Sequence, residues 1–285
     1  MGDKTMTSLS VRGVCKSFSG RSGLTRALEG ITLEVDAGEF LVLVGPSGCG
    51  KSTLLGILAG LEQADEGEVR AGERPVTGPG TDRGVIFQDG ALFPWLTVQK
   101  NVEFGLRQLG IPRSERKERA REYLELVHLG RFRSSFLHEL SGGMRQRVAI
   151  ARSLAMDPQV LLMDEPFSAL DAQTREDLYA QLTEIWERTR KTIVFVTHNV
   201  REAVCLADRV VLLAARPGRV RQEFRIRLAR PRHPDDLDVA RLAGQISDAM
   251  REDRERIRGE EYDADWHPEE EVRRRSQDHG MGDYI

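Results

Sequence analysis

Long apolar runs are missing from this chain. Phe40 to Val44, Val160 to Met163 and Val210 to Ala215 fall far short of the roughly 18 residues a membrane helix needs. Mean hydropathy is −0.41, and an integral membrane class is not expected. Met1 to Ser10 is polar without an apolar h-region, so no secretory signal is expected. Cysteine is scarce: Cys15, Cys49 and Cys205 are odd in number and lack metal-ligand spacing. That argues against a disulfide framework or a zinc module and for a reduced, cytosolic chain. No charge of one sign dominates either, with 42 basic against 45 acidic residues and a net charge of −3. A nucleic-acid partner, which calls for a basic domain, is not expected.

What is present suits a globular core. In 285 residues, 40% are hydrophobic and 31% charged, which fits one large domain or two closely joined ones. Glu39 to Val44, Val160 to Met163, Thr192 to Val196 and Val210 to Leu213 are short apolar runs bounded by turn or charged residues. They read as buried parallel strands. Ser114 to Leu129 is charged, with Tyr123, Leu124, Leu126 and Val127 at helical spacing, and marks a helical insertion over roughly 89–154. The main domain is expected over 7–235. The remainder, 236–285, is expected as a charged, helix-prone and solvated extension, poorly ordered beyond Gly259.

Gly45 to Thr53 reads GPSGCGKST, after a strand and before a helix. Gly45, Pro46, Ser47, Gly48, Cys49 and Gly50 form a loop whose backbone N–H groups wrap phosphates at a helix N-terminus. Lys51 is placed to neutralise the β- and γ-phosphates, and Ser52 to offer its hydroxyl to Mg²⁺. The second anchor such a loop needs comes from VLLMDEP. There Asp164 suits metal binding through water, and Glu165 can polarise an attacking water.

LSGGMRQR (Leu140 to Arg147) opens another helix with Ser141, Gly142 and Gly143, a second anion-binding terminus. By itself, a serine before two glycines is also an ordinary helix cap. One nucleotide does not need two such termini from one chain, and a head-to-tail dimer explains the surplus. Gln88 follows the strand-like VIF, so its amide can reach metal or water. His198 ends TIVFVT at the carboxyl edge where ligands gather.

The ordered set GPSGCGKST, Gln88, LSGGMRQR, LLMDEPFSALD and His198, over about Leu9 to Arg230, resembles the ATP-binding subunit of an ABC transporter. The resemblance implies an α/β fold. Its parts would be a P-loop NTPase core with a mainly parallel sheet, an N-terminal antiparallel β part and an inserted α-helical subdomain. It implies ATP and Mg²⁺ as ligands, with Phe18 stacked on adenine and Asp171, in FSALD, linking two ATP sites across the dimer. It places the subunit on the cytoplasmic face of the inner membrane, bound to permease subunits and indirectly served by a solute-binding protein.

Phe93, Pro94 and Trp95, in LFPWLTVQKNV, match the place where such subunits receive a permease helix. Alternatively Trp95 belongs to the insertion's own core. The family commonly has Asp after the switch histidine, and Asn199 stands here. Cys49 matches many members as a small filler, and its place near a helix N-terminus raises the expectation of a lowered pKa and thiol-reagent sensitivity. The PWLTV segment and LLAARPGRVRQEFRIRLARPR are similar to nitrate, sulfonate and taurine importer ATPases. Pro217 and Gly218 fit a simple hairpin turn as well. The alternatives are a soluble ABC ATPase of translation or DNA maintenance, and an exporter or lipid-transport ATPase.

Overall fold

The computed structural model describes residues 7–20 and 23–265. Two sheets organise it. The antiparallel one runs β2-β1-β4-β5, from β1 (Leu9–Gly20), β2 (Gly23–Val35), β4 (Glu66–Ala71) and β5 (Arg74–Pro75). The larger one holds β3 (Phe40–Val44), β6 (Arg83–Ile86), β7 (Val160–Asp164), β8 (Thr192–Val196), β9 (Arg209–Ala214) and β10 (Arg219–Arg225). Its order is β10-β9-β3-β8-β7-β6, parallel throughout except for the edge strand β10.

The period of two in a strand explains why these segments are continuously apolar. Phe40, Val42 and Val44 of β3 face one core, and Leu41 and Leu43 face the other. In β8, Ile193 and Phe195 oppose Val194 and Val196 in the same way. The second core lies between this sheet, the antiparallel sheet and α1 (Lys51–Ala59). The first is closed by the remaining helices.

Three of those helices fall in the 89–154 stretch: α2 (Val98–Gln108), α3 (Arg113–Leu126) and α4 (Gly142–Ala155), all in mutual contact. The charged helix α3 buries Ala120 and Leu124, four residues apart on one face. Next come α5 (Ala172–Thr189) and α6 (Val200–Leu206), started by Asp171 and Asn199, whose side chains accept backbone N–H groups.

The last helix, α7 (Leu237–Asp265), departs from the expected solvated extension. Val239, Ala243, Ile246 and Met250 recur at helical spacing and join the first core, so α7 through Met250 packs on the main body. A charged composition conceals such a narrow apolar stripe. The helix also continues past Gly259 to Asp265, and the rest of the stretch expected to lack order lies outside the described residues.

Candidate active site

The loop Gly45 to Gly50 leaves β3 and enters α1, and its shape depends on two close approaches. A Cβ at Gly45 would stand 2.6 Å from Cys49 Sγ and 2.7 Å from the Leu213 carbonyl oxygen. Gly50 has φ +88°, and a Cβ there would stand 2.9 Å from the Ala27 carbonyl oxygen. Lys51 opens α1 with its side chain buried inside the loop. Its Nζ donates to the carbonyl oxygens of Gly45 at 2.8 Å and Pro46 at 3.0 Å. A cation within a ring of backbone at a helix N-terminus is an arrangement that attracts polyanions.

At the end of β7, Asp164 Oδ1 accepts from the Ser52 hydroxyl at 3.0 Å. Burial pushes the Asp164 carboxyl up from its usual value, against that hydrogen bond, and the Glu165 charge adds to the rise. A divalent cation would relieve this, and the hydroxyl–carboxylate pair is an oxygen donor set of the kind Mg²⁺ takes. Glu165 follows with φ +43°, a left-handed backbone that few non-glycine residues adopt. Its N–H donates to Val196 at 3.0 Å, and its carbonyl oxygen accepts the Ser168 hydroxyl at 2.9 Å. The side chain meets His198 Nδ1 at 2.8 Å. Lys51, Ser52, Asp164, Glu165 and His198 therefore share one carboxyl edge of the sheet, with Thr53 in the first turn of α1.

The other expected residues sit around this group. Gln88 is exposed, two residues past β6. Phe18 is partly exposed on β1, with Lys16 Nζ 5.3 Å from its ring centroid. Ser141 caps α4, its hydroxyl accepting from the Met144 N–H at 3.3 Å. A Cβ at Gly143 would stand 2.4 Å from Thr174 Cγ2, and Thr174 in turn donates to both Asp171 oxygens, at 2.9 and 2.7 Å. The contacts of Ser141 to Gly143 thus lie toward the start of α5. Asn199 Oδ1 accepts from Arg201 and Glu202 N–H at 3.1 and 3.3 Å, so the departure from aspartate leaves the α6 cap in place.

Two expectations change. Cys49 is fully buried and burial pushes its thiol up, opposing the nearby Lys51 charge, so the expected low-pKa, reagent-sensitive thiol is overturned. Its side chain points under Gly45 and away from solvent. Trp95 is 71% exposed, which removes the core alternative for it. Phe93 packs on Phe104 at 4.3 Å and on Trp95 at 5.6 Å between ring centroids. Cavities of about 340 and 400 Å³ flank this cluster, the first lined by Phe93 and Met156, the second by Trp95 and Arg107.

Other residues of the site escaped the sequence. Gly218 donates its N–H to Ala27 at 2.9 Å, and a Cβ on it would lie 2.3 Å from the Cys49 carbonyl oxygen. The β9–β10 turn therefore backs directly onto the phosphate loop. Asn101, fully buried in α2, accepts the Phe93 N–H at 2.9 Å and donates to the carbonyl oxygens of Phe93, Leu96 and Thr97. Neither had a signal beyond a hairpin glycine and a polar residue in an amphipathic helix.

A phosphate loop entering a helix at the carboxyl edge of a parallel sheet, beside a strand ending in two carboxylates, defines a P-loop nucleotide-binding protein. The family model described as ABC transporter matches residues 28–168. An uncharacterised ABC transporter ATP-binding protein of Methanocaldococcus jannaschii is 49% identical over 251 residues, covering 88% of this chain and 94% of its own. The chain belongs to the ABC transporter family, as an ATP-binding, ATP-hydrolysing subunit.

Further relatives are named for what they import. The nitrate import ATP-binding protein NrtD of Synechocystis sp. is 49% identical over 77% of this chain and 83% of its own. The taurine import ATP-binding protein TauB of Burkholderia pseudomallei is 50% identical over 75% and 83%. Among solved structures, an ATP-binding cassette captured as a dimer after hydrolysis with ADP and Pi superposes with a TM-score of 0.69. It is 35% identical, covering 78% of this chain and all of that one.

Proposed function

We propose that this chain powers an importer of a small anionic solute of the nitrate, sulfonate or taurine kind, from the cytoplasmic face of the inner membrane. The observation that carries its chemistry is the Glu165–His198 pair at 2.8 Å, beside Ser52 and Asp164. Lys51 and the N–H groups of Gly45 and of Ser47 to Thr53 bind the triphosphate, and Phe18 stacks on the base. Ser52, Asp164 and Gln88 would hold Mg²⁺, which when bound screens the phosphate charge. Glu165 accepts the proton of the attacking water, and His198 orients that carboxylate and faces the γ-phosphate. Ser141, Gly142 and Gly143 of a second copy close over the nucleotide from the far side, with Asp171 linking the two sites. The import role and the solute class are supported by the relatives at about 50% identity.

Phe93, Pro94 and Trp95 receive the permease. Exposed Trp95, with half-buried Phe93 beneath it and two cavities beside it, is what an apolar helix covers on assembly, at roughly 25 cal/mol per Å² removed from water. Purification of the chain from its own membranes tests the whole assignment. It is expected to bring along permease subunits and a solute-binding protein, with the solute identified by mass spectrometry and stimulating ATP hydrolysis. Trp95→Ala is expected to weaken the co-purification while ATP affinity stays. Purification without membrane partners, or normal assembly of Trp95→Ala, overturns the corresponding half.

A further inference from the structure

Between Gln88 and Trp95 the chain takes an unusual path. Gly90 N–H donates to the Phe87 carbonyl oxygen at 2.9 Å, closing a turn with Gln88 at its first inner position. Gly90 and Ala91 follow with φ of +69° and +45°. Glycine adopts that region freely, whereas an alanine there needs something to hold it.

What holds it is Arg152, from the last turn of α4. Its guanidinium donates through Nη2 to the Gly90 carbonyl oxygen and through Nη1 to that of Ala91, both at 2.7 Å. The same group lies over the Phe93 ring, 5.7 Å from its centroid. Among the described residues no carboxylate forms an ion pair with Arg152, and burial pulls it down from its usual pKa. The cation is thus balanced by two carbonyl dipoles and an aromatic face. A planar fork can hold two carbonyls at once in fixed geometry, which a lysine cannot reproduce.

The placement matters because of what lies at either end. The helix that carries Arg152 begins at Ser141, about three turns away, and behaves as a rigid rod over that length. Beyond Phe93, Asn101 takes over with its four hydrogen bonds to Phe93, Leu96 and Thr97. A displacement at Gly90 therefore reaches Trp95 with little chain free to absorb it.

We propose that Arg152 is the positioning residue that makes α4, the Gln88 turn and the Phe93–Trp95 surface move as one unit, and so carries the nucleotide state to the permease. It touches no substrate. This rests on the reading that Phe93 to Trp95 meet the permease, and the experiment separates the two.

The test uses the assembled transporter in proteoliposomes. Arg152→Gln and Arg152→Lys are expected to keep permease co-purification, while solute moved per ATP hydrolysed falls by roughly tenfold for Gln and less for Lys. Unchanged coupling in both overturns the proposal. A merely structural role predicts a lowered melting temperature with the solute-to-ATP ratio preserved, and that result overturns it too. Hydrogen exchange on the parent transporter gives an answer that needs no variant. Amides from Gly90 to Leu96 are expected to change exchange rate on addition of Mg-ATP, and if they do not respond the clamp carries nothing. Trp95→Ala that assembles and transports normally removes the docking reading. Loss of assembly in Trp95→Ala with normal coupling in the Arg152 variants removes the clamp alone.

Discussion

His198 Nδ1 stands 2.8 Å from Glu165 Oε2, although the two residues end neighbouring strands and are 33 positions apart in sequence. The contact is possible because Glu165 takes a left-handed turn directly after β7 while His198 follows β8 by two residues. The carboxylate is held by a ring whose position is set by the sheet.

Glu165→Gln keeps the shape of the side chain and removes its capacity to accept a proton. ATP binding is expected to persist and turnover to fall by about 10²–10⁴, the usual worth of a general base. An ATP-bound dimer is expected to accumulate on size-exclusion chromatography. His198→Ala is expected to lose less, since the base survives without its orienting partner. Near-parent turnover in Glu165→Gln would exclude it from the role.

Lys51→Ala acts on binding. Its ammonium donates to Gly45 and Pro46 within the loop, and loop amides alone remain once it is gone. Nucleotide affinity is expected to fall by roughly ten- to a hundredfold, the scale of one or two charge-assisted hydrogen bonds. Titration calorimetry with ATP reads this directly, and equal affinity in the variant would separate the loop from the triphosphate.

Thiol chemistry supplies an independent check. Cys15, Cys49 and Cys205 are all buried, and burial pushes the Cys49 and Cys205 thiols up, the latter to about 12. The native chain is expected to resist alkylation by N-ethylmaleimide at neutral pH and to keep ATP binding. The denatured chain is expected to take up three equivalents by intact-mass measurement. Rapid labelling of native Cys49 would contradict its placement beneath Gly45.

Glu202 gives a pH signature. It is 4% exposed in α6, and burial raises its carboxyl to about 6 despite hydrogen bonding from Thr197 and Tyr179. The folded protein holds this proton at a pH where the unfolded chain has released it. Its contribution therefore falls as pH rises from about 4.5 to about 6, and above that the buried charge costs on the order of 2 kcal/mol. Glu202→Gln is expected to raise the melting temperature at pH 7.5 and to flatten the profile across that window. Differential scanning calorimetry at pH 4.5, 6 and 7.5 measures it; a variant less stable at pH 7.5 would contradict the assignment.

Much of this arrangement is legible in the sequence. Phosphate loops need glycine, lysine and serine at fixed local spacing, so Gly45 to Thr53 announce themselves. Buried parallel strands need unbroken apolar runs, so β3, β7, β8 and β9 do too. The charged composition of 236–285 hid the stripe Val239, Ala243, Ile246 and Met250, because a helix docks with about one residue in four and composition averages over the rest. Cys49 misled for a related reason. Proximity to a helix N-terminus is visible in sequence, but the side chain's direction under Gly45 is not.

The sequence by itself determined which chemical groups are available and in what local order, because phosphate loops, caps and strand periodicity act over a few residues. Tertiary structure alone decided which distant groups meet: Glu165 with His198, Gly218 with Cys49, Arg152 with the carbonyls of Gly90 and Ala91. Those pairings depend on strand order and on the angle at which α4 crosses the turn after β6. Both follow from packing the whole core at once, so no local stretch of sequence carries them.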